Sequence, residues 1–243
     1  MAGKLHWVHS ASTDYLTLYT VHPRRGTEAM DAAGVLSGFA GVAVHDGWKP
    51  YFRYHGVVHG LCNAHHLREL TAAAEQPGQG WASDMATVLC EALAAVDAAK
   101  TAGADRLDAD TLAKVHRRYA TAVAAGHAAN PPPPRSGRRG RTAKSKAANL
   151  LARLDDFSDD VLRFAVDFAV PFDNNLAERD IRMIKLQQKI SGGWRTLAGA
   201  ETFCALRSYI STVRKHDVDV LTALSQVFHG DPWLPTQPLA EAA

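Results

Sequence analysis

Glu178 precedes Arg182, Lys185 and Lys189 by four, seven and eleven residues in the stretch VPFDNNLAERDIRMIKLQQKISGGWRT, residues 170–196. A helix turning 100° per residue keeps all four in one narrow stripe. An acid and three bases on one edge have two readings. The local one makes Asn175 an N-cap with Glu178 three residues on, and pairs Glu178 with Arg182 at i, i+4. The chemical one gives the carboxylate a divalent cation and gives the bases below it the phosphates of a nucleic acid. Ala177, Ile181 and Ile184 flank the stripe on one side and Met183, Leu186 and Ile190 on the other. A plain surface helix has one apolar stripe and a broad polar back, so two apolar flanks put the charged edge in a cleft between packed walls.

A second acid stands far away in the sequence. Asp46 ends the apolar run of AGVAVHDGWKPY, residues 40–51, next to Gly47. An Asp-Gly pair forms turns readily, but the carboxyl end of a strand is also where an α/β sheet opens its functional edge. Two such acids can converge on Mg²⁺, which prefers hard carboxylate oxygens, and paired metals roughly 3.5–4 Å apart serve phosphoryl transfer.

Other groupings are weaker. Cys62, His65 and His66 in CNAHH lack a second ligand pair with zinc spacing, so a packed strand end is the expectation there. The His and Trp residues of LHWVHS read as sheet residues. SGGWR is too short and wrongly placed for a phosphate-binding loop, and reads as a turn between helices that leaves Arg195 available to DNA.

Composition bounds the rest. The 243 residues are 47% apolar and 21% charged, an ordinary globular balance. No apolar run is long enough to cross a bilayer, and no stretch has the pattern of a signal peptide. The three cysteines, Cys62, Cys90 and Cys204, are scattered and odd in number, which fits a reducing cytoplasm better than a disulfide framework. Net charge is only +2, yet RSGRRGRTAKSK (135–146) carries Arg135, Arg138, Arg139, Arg141, Lys144 and Lys146 without an acid, just after four prolines. Such a segment is either a solvated linker or a flexible arm that tracks phosphates.

The elements that must position the two acids can be read from periodicity. Residues 5–21 predict a hairpin turning near Ser12-Thr13-Asp14. Short apolar runs at 40–46 and 56–64 alternate with helical spacing at 25–39 and 65–75, arguing α/β. Ser83 reads as the N-cap of a helix closed by Gly103, and Asp108 or Asp110 as the start of one closed by Gly126. Two more helices run on to Pro171. The tail predicts the Glu178 helix, a helix with Phe203, Leu206, Ile210 and Val213 on one face, and a last helix at 220–228.

VHDGWKPY, CNAHHLREL, FDNNLAERDIRMIKLQQKISGGWRT and FCALRSYISTVRKH, in this order over nearly all of the chain, resemble the bacterial DDE transposases of the insertion-sequence sixty-six family. The resemblance implies an α/β, ribonuclease H-like (integrase-type) mixed sheet interrupted by a helical insertion. It divides the chain into 1–64, the first part of the catalytic domain; 65–170, the insertion, with a Pro-rich and basic linker at 130–146; and 171–243, helices that complete the domain. It implies Mg²⁺- or Mn²⁺-dependent cleavage and joining of DNA, with Asp46 as the second catalytic acid and metal ligand and Glu178 as the third. Lys185 matches the basic position that contacts the transposon end, and Arg182, Lys189, Arg195, Arg138, Arg139 and Arg141 are the other candidates for DNA. The implied partners are transposon ends and target DNA, a second copy of the chain and accessory proteins of the element, with no membrane and a cytoplasmic location.

The family's first acid precedes the strand that here reads LHWVHSAS, and Met1 falls after it. Asp14, the nearest acid, lies in the predicted hairpin turn. The expectation is a sheet whose first, central strand is missing, leaving two open edges. Activity of the chain alone therefore stays open between a transposase whose first acid lies upstream and a truncated, non-catalytic remnant that binds DNA or interferes with the full-length enzyme.

Overall fold

The computed structural model describes residues 4–132 and 144–236. It is an α/β protein dominated by helices, in two compact units: Met1–Phe39 with Asn175–Ala243, and Ala40–Asn174. Among the described residues no helix is long and apolar enough to cross a membrane.

The first unit starts with the predicted hairpin. Strands β1 (Trp7–Ser12) and β2 (Thr17–His22) pair antiparallel from Trp7↔His22 to Ser12↔Thr17. The Thr13 hydroxyl closes the turn, accepting from the Tyr15 and Leu16 N–H groups, as Ser and Thr do in tight turns. Helix α1 (Thr27–Ala33) follows and stops at Gly34, whose φ of +71° suits a residue without Cβ.

The second unit pairs β3 (Val42–His45) with β4 (Val58–Leu61) in parallel, from Val42↔Val58 to His45↔Leu61. Five helices follow: α2 (Asn63–Ala74), α3 (Gly80–Thr101), α4 (Ala109–Ala129), α5 (Lys146–Asp156) and α6 (Ser158–Val166). Their core is made by Leu70, Met85, Leu89, Leu151, Leu154 and Leu162, each fully buried. Tyr119 crosses from α4 to donate its hydroxyl proton to the Leu154 carbonyl at 2.7 Å.

The chain then returns to the first unit with α7 (Asn175–Ser191), α8 (Leu197–Lys215) and α9 (Val220–Phe228). Gly192, at φ +69°, makes the expected break between α7 and α8. Among the described residues the four strands form two separate two-stranded sheets.

Four expectations need correction. Helix α3 starts at Gly80, before Ser83, because the chain reverses at Gly78 (φ +78°) and Trp81 and Ala82 are already core residues. Cys62 lies one residue past β4, at the start of α2. On α8 the inward face is Ala200, Cys204, Thr212 and Val213; of the expected face Val213 is buried and Phe203 packs beside Cys204, while Leu206 is 47% exposed. Hydroxyls turn this helix. The Ser208 Oγ accepts from the Tyr19 N–H at 2.8 Å and the Thr212 Oγ1 from the Thr17 N–H at 3.1 Å, serving two of the β2 donors that face away from β1. Side chains four residues apart on one helix thus close a strand edge that would otherwise invite another chain.

Gly126 is the fourth correction, since α4 runs past it to Ala129. A Cβ there would lie 2.5 Å from Leu151 Cδ1 and 3.1 Å from Trp81 Cδ2, so the glycine serves close packing of α4 and is not a stop signal. Gly126→Val is expected to destabilise the protein by about 1–3 kcal/mol through overpacking. Thermal denaturation checks this, and an unchanged or raised Tm would contradict it.

Candidate functional site

Asp46 follows the last residue of β3. Successive strand side chains point to opposite faces: His45 is turned inward and buried, and Asp46 is exposed. The Asp-Gly turn is formed as its sequence suggests. Gly47 has φ +79°, and the Trp48 N–H donates to Asp46 Oδ1 at 3.0 Å.

Beneath the turn is a layer that sequence reasoning missed. The Gly47 N–H donates to His45 Nδ1 at 3.0 Å, and His45 Nε2 lies 3.1 Å from His59 Nδ1. Tyr51 stacks on the His45 ring at 4.4 Å and 17°, and Phe52 meets its edge at 5.2 Å. Burial pushes the His45 imidazole down to about 4, helped by His59 and opposed by Asp46. His59 is lowered as well, first by burial. The only sequence signal was that His45 and His59 lie on consecutive parallel strands in alternating apolar runs, too general to single them out.

CNAHH does not present a cysteine and two histidines to one metal. His66 is buried with its Nδ1 3.1 Å from Asn63 Oδ1, and Asn63 donates through Nδ2 to the Val161 carbonyl at 2.9 Å. This polar staple ties α2 to α6. The Cys62 sulfur accepts from the Asn174 N–H at 3.3 Å, and burial raises its thiol. Among the described residues no group of three or more His, Cys, Asp or Glu side chains could hold a metal ion.

In the other unit Glu178 sits in the first turn of α7. The helix begins at Asn175 itself, so the predicted cap is one residue late. Arg182, Lys185 and Lys189 are exposed, as is Arg195 in the connection to α8. The expected cleft has one packed wall. Ile184 is buried against Tyr19 and Cys204, with Ile181 beside it, whereas Met183, Leu186 and Ile190 are 40%, 44% and 74% exposed. One hairpin offers α7 one apolar surface, so only the flank turned to it is covered.

What fixes α7 on the hairpin is an acid not foreseen. Asp180 Oδ2 accepts from the Ser12 hydroxyl at 2.5 Å and the Thr17 hydroxyl at 3.3 Å, and lies 3.5 Å from Lys215 Nζ at the end of α8. Lys215 also donates to the Thr13 and Leu16 carbonyls at 2.6 and 3.0 Å. Burial lowers the Lys215 ammonium while Asp180 pulls it up. The partners come from three elements up to 203 residues apart, and no local spacing could reveal them.

Asp46 therefore belongs to one unit, and Glu178 with its basic edge to the other. Arg138, Arg139 and Arg141 lie outside the described residues. Fold and site together define an α/β protein with a strand-end acid in one unit and an acid-and-base helix in the other. The family model described as Transposase IS66 family matches residues 1–202, and the chain belongs to that family. No curated protein and no solved structure matches it.

Proposed function

We propose that the chain is the catalytic part of a transposase that cuts and joins DNA with Mg²⁺ or Mn²⁺, Asp46 and Glu178 being two of its metal-binding acids. The observation that carries this is the match of residues 1–202 to the transposase family, which spans both acids. Their surroundings support it. The Asp46 carboxylate is exposed at the carboxyl end of a parallel strand and uses one oxygen on Trp48. Both acids supply the hard oxygen donors that such cations prefer. Bound metal would activate the attacking oxygen and neutralise charge on the leaving one.

The chain's own residues supply the rest. Arg182, Lys185 and Lys189 along α7, with Arg195 beyond it, contact the backbone phosphates of the transposon end, and Arg138, Arg139 and Arg141 are further candidates for phosphate contact. Water displaces the 3′ oxygen at the element's end and leaves a 3′-hydroxyl. This hydroxyl then attacks a target phosphodiester, whose own 3′ oxygen leaves.

The fold that fits this chemistry is ribonuclease H-like. The antiparallel pair β1–β2 and the parallel pair β3–β4 have the pairing directions of its two sheet flanks, and the outer edge of β2 is closed by α8.

The test is incubation of the purified chain with duplexes carrying the ends of its own element, in Mg²⁺ and in Mn²⁺. Metal-dependent nicks with 3′-hydroxyl termini are the expected result. Binding of end DNA without any nick in either metal would overturn the catalytic reading and leave a DNA-binding protein.

A further inference from the structure

We infer that His45 is a positioning residue for Asp46, its ring holding the turn that aims the carboxylate. This rests on the reading of Asp46 as a catalytic acid, but the geometry stands apart from it.

An exposed carboxylate at a strand end has no walls to orient it, so its direction depends on its backbone. Two hydrogen bonds define that backbone here. The Trp48 N–H holds Asp46 Oδ1 at 3.0 Å, and the Gly47 N–H reaches back to His45 Nδ1 at 3.0 Å. A ring nitrogen that accepts from a backbone N–H carries no proton, so the His45 proton resides on Nε2. Nε2–H therefore donates to His59 Nδ1 at 3.1 Å, which puts the His59 proton on its own Nε2. One backbone donor thus fixes the tautomers of two rings on neighbouring strands.

The His45 ring cannot rotate away from this duty. Tyr51 covers one face at 4.4 Å, and Phe52 and His59 meet it edge-on, each at 5.2 Å. His45 is 3% exposed, so its ring is held by packing as well as by these hydrogen bonds. A residue that merely filled the space would leave the Gly47 N–H without a partner and the turn free to swing. Catalysis is sensitive to such motion, because a misplacement of about 1 Å can cost about 100-fold in rate.

Three substitutions separate positioning from packing. In His45→Asn the amide oxygen occupies the place of Nδ1 and still accepts from Gly47. His45→Gln reaches the place of Nε2 and serves His59 but not Gly47, and His45→Leu serves neither. Turnover of end DNA should stay near the wild-type value in the Asn variant and fall by about 100-fold in the other two, with DNA affinity unchanged in all. Hydrogen exchange at the Gly47 amide should be slow in wild type and Asn, and at least about tenfold faster in Gln and Leu. Exchange at α2 amides reports whether each variant is folded. Nitrogen NMR of the unmodified protein should show neutral His45 protonated on Nε2.

An Asn variant no better than Gln, or a Gly47 amide that exchanges alike in wild type and Leu, overturns the inference. So does unchanged turnover across the series while Asp46→Asn abolishes it. If Gly47 protection follows the expected order but Asp46→Asn itself is without effect, the catalytic reading of Asp46 falls and the inference with it.

Discussion

Asp46→Asn and Glu178→Gln should each lower metal-supported cleavage of end DNA by three or more orders of magnitude, about 4 kcal/mol of barrier, while leaving the fold intact. Asparagine keeps an oxygen that can accept from the Trp48 N–H, so the turn at 45–48 survives and only the negative charge is removed. Glutamine has nearly the helix propensity of glutamate, so the first turn of α7 also survives. What both variants lose is the charge that binds a divalent cation. Melting curves within a few degrees of wild type, together with unchanged DNA affinity, would assign the loss to chemistry. Residual cleavage above a tenth of wild type in either variant would remove that residue from the proposed triad.

Local rules made some of this molecule legible and not the rest. The hairpin followed from alternation, and α4 from the Asp108 cap, whose Oδ1 accepts the Thr111 N–H at 2.8 Å. Asp46, Glu178 and the basic edge of α7 could be singled out as candidates because each lies within a short, characteristic string. Hydrophobic periodicity placed the inner face of α8 only in part, with Val213 and Phe203 inward but Leu206 out, because polar groups help decide it: Ser208 and Thr212 answer donors on a strand some 190 residues away. It also suggested two walls around α7 where the hairpin provides one. Gly126 read as a stop because glycine usually ends helices, whereas here the missing Cβ admits Leu151 and Trp81.

The layers beneath the two acids were the least legible. His45 and His59 are joined only by strand register, and Asp180 and Lys215 only by how α7 and α8 lie on the hairpin. Both sets are polar and partly or wholly buried, and each has one member close in sequence to a candidate acid. Asp180 is two residues beyond Glu178 and His45 immediately precedes Asp46. Buried polar groups of this kind are costly unless every partner is in place, and the partners of these two come from distant elements.

Between about pH 6.5 and pH 4 the Ala40–Asn174 unit should lose several kcal/mol of stability. His66 is pushed down to about 3 and His45 to about 4, in each case chiefly by burial. In the folded state His66 stays neutral across this window and His45 over most of it, but both protonate near 6.5 once the chain unfolds. The unfolded state therefore binds more protons, and stability falls as pH falls, by up to about 1.4 kcal/mol per pH unit for each histidine. It is fully present above about pH 6.5. For His45 the structural reason is plain, since a second ring proton would set an N–H against the Gly47 N–H. The capping carboxylates Asp108 and Asp219, lowered by hydrogen bonds from the Thr111 and Thr222 backbones, fail only below this range. Because a domain's total stability is about 5–15 kcal/mol, the two histidines suffice to unfold a marginal unit near pH 4. Urea unfolding at pH 7.5, 5.5 and 4.5 measures the slope. His66→Gln removes one titrating group while leaving an amide that can meet Asn63, and should reduce the slope by up to about 1.4 kcal/mol per pH unit. A slope unchanged in that variant would mean that His66 does not control acid lability, whatever its burial.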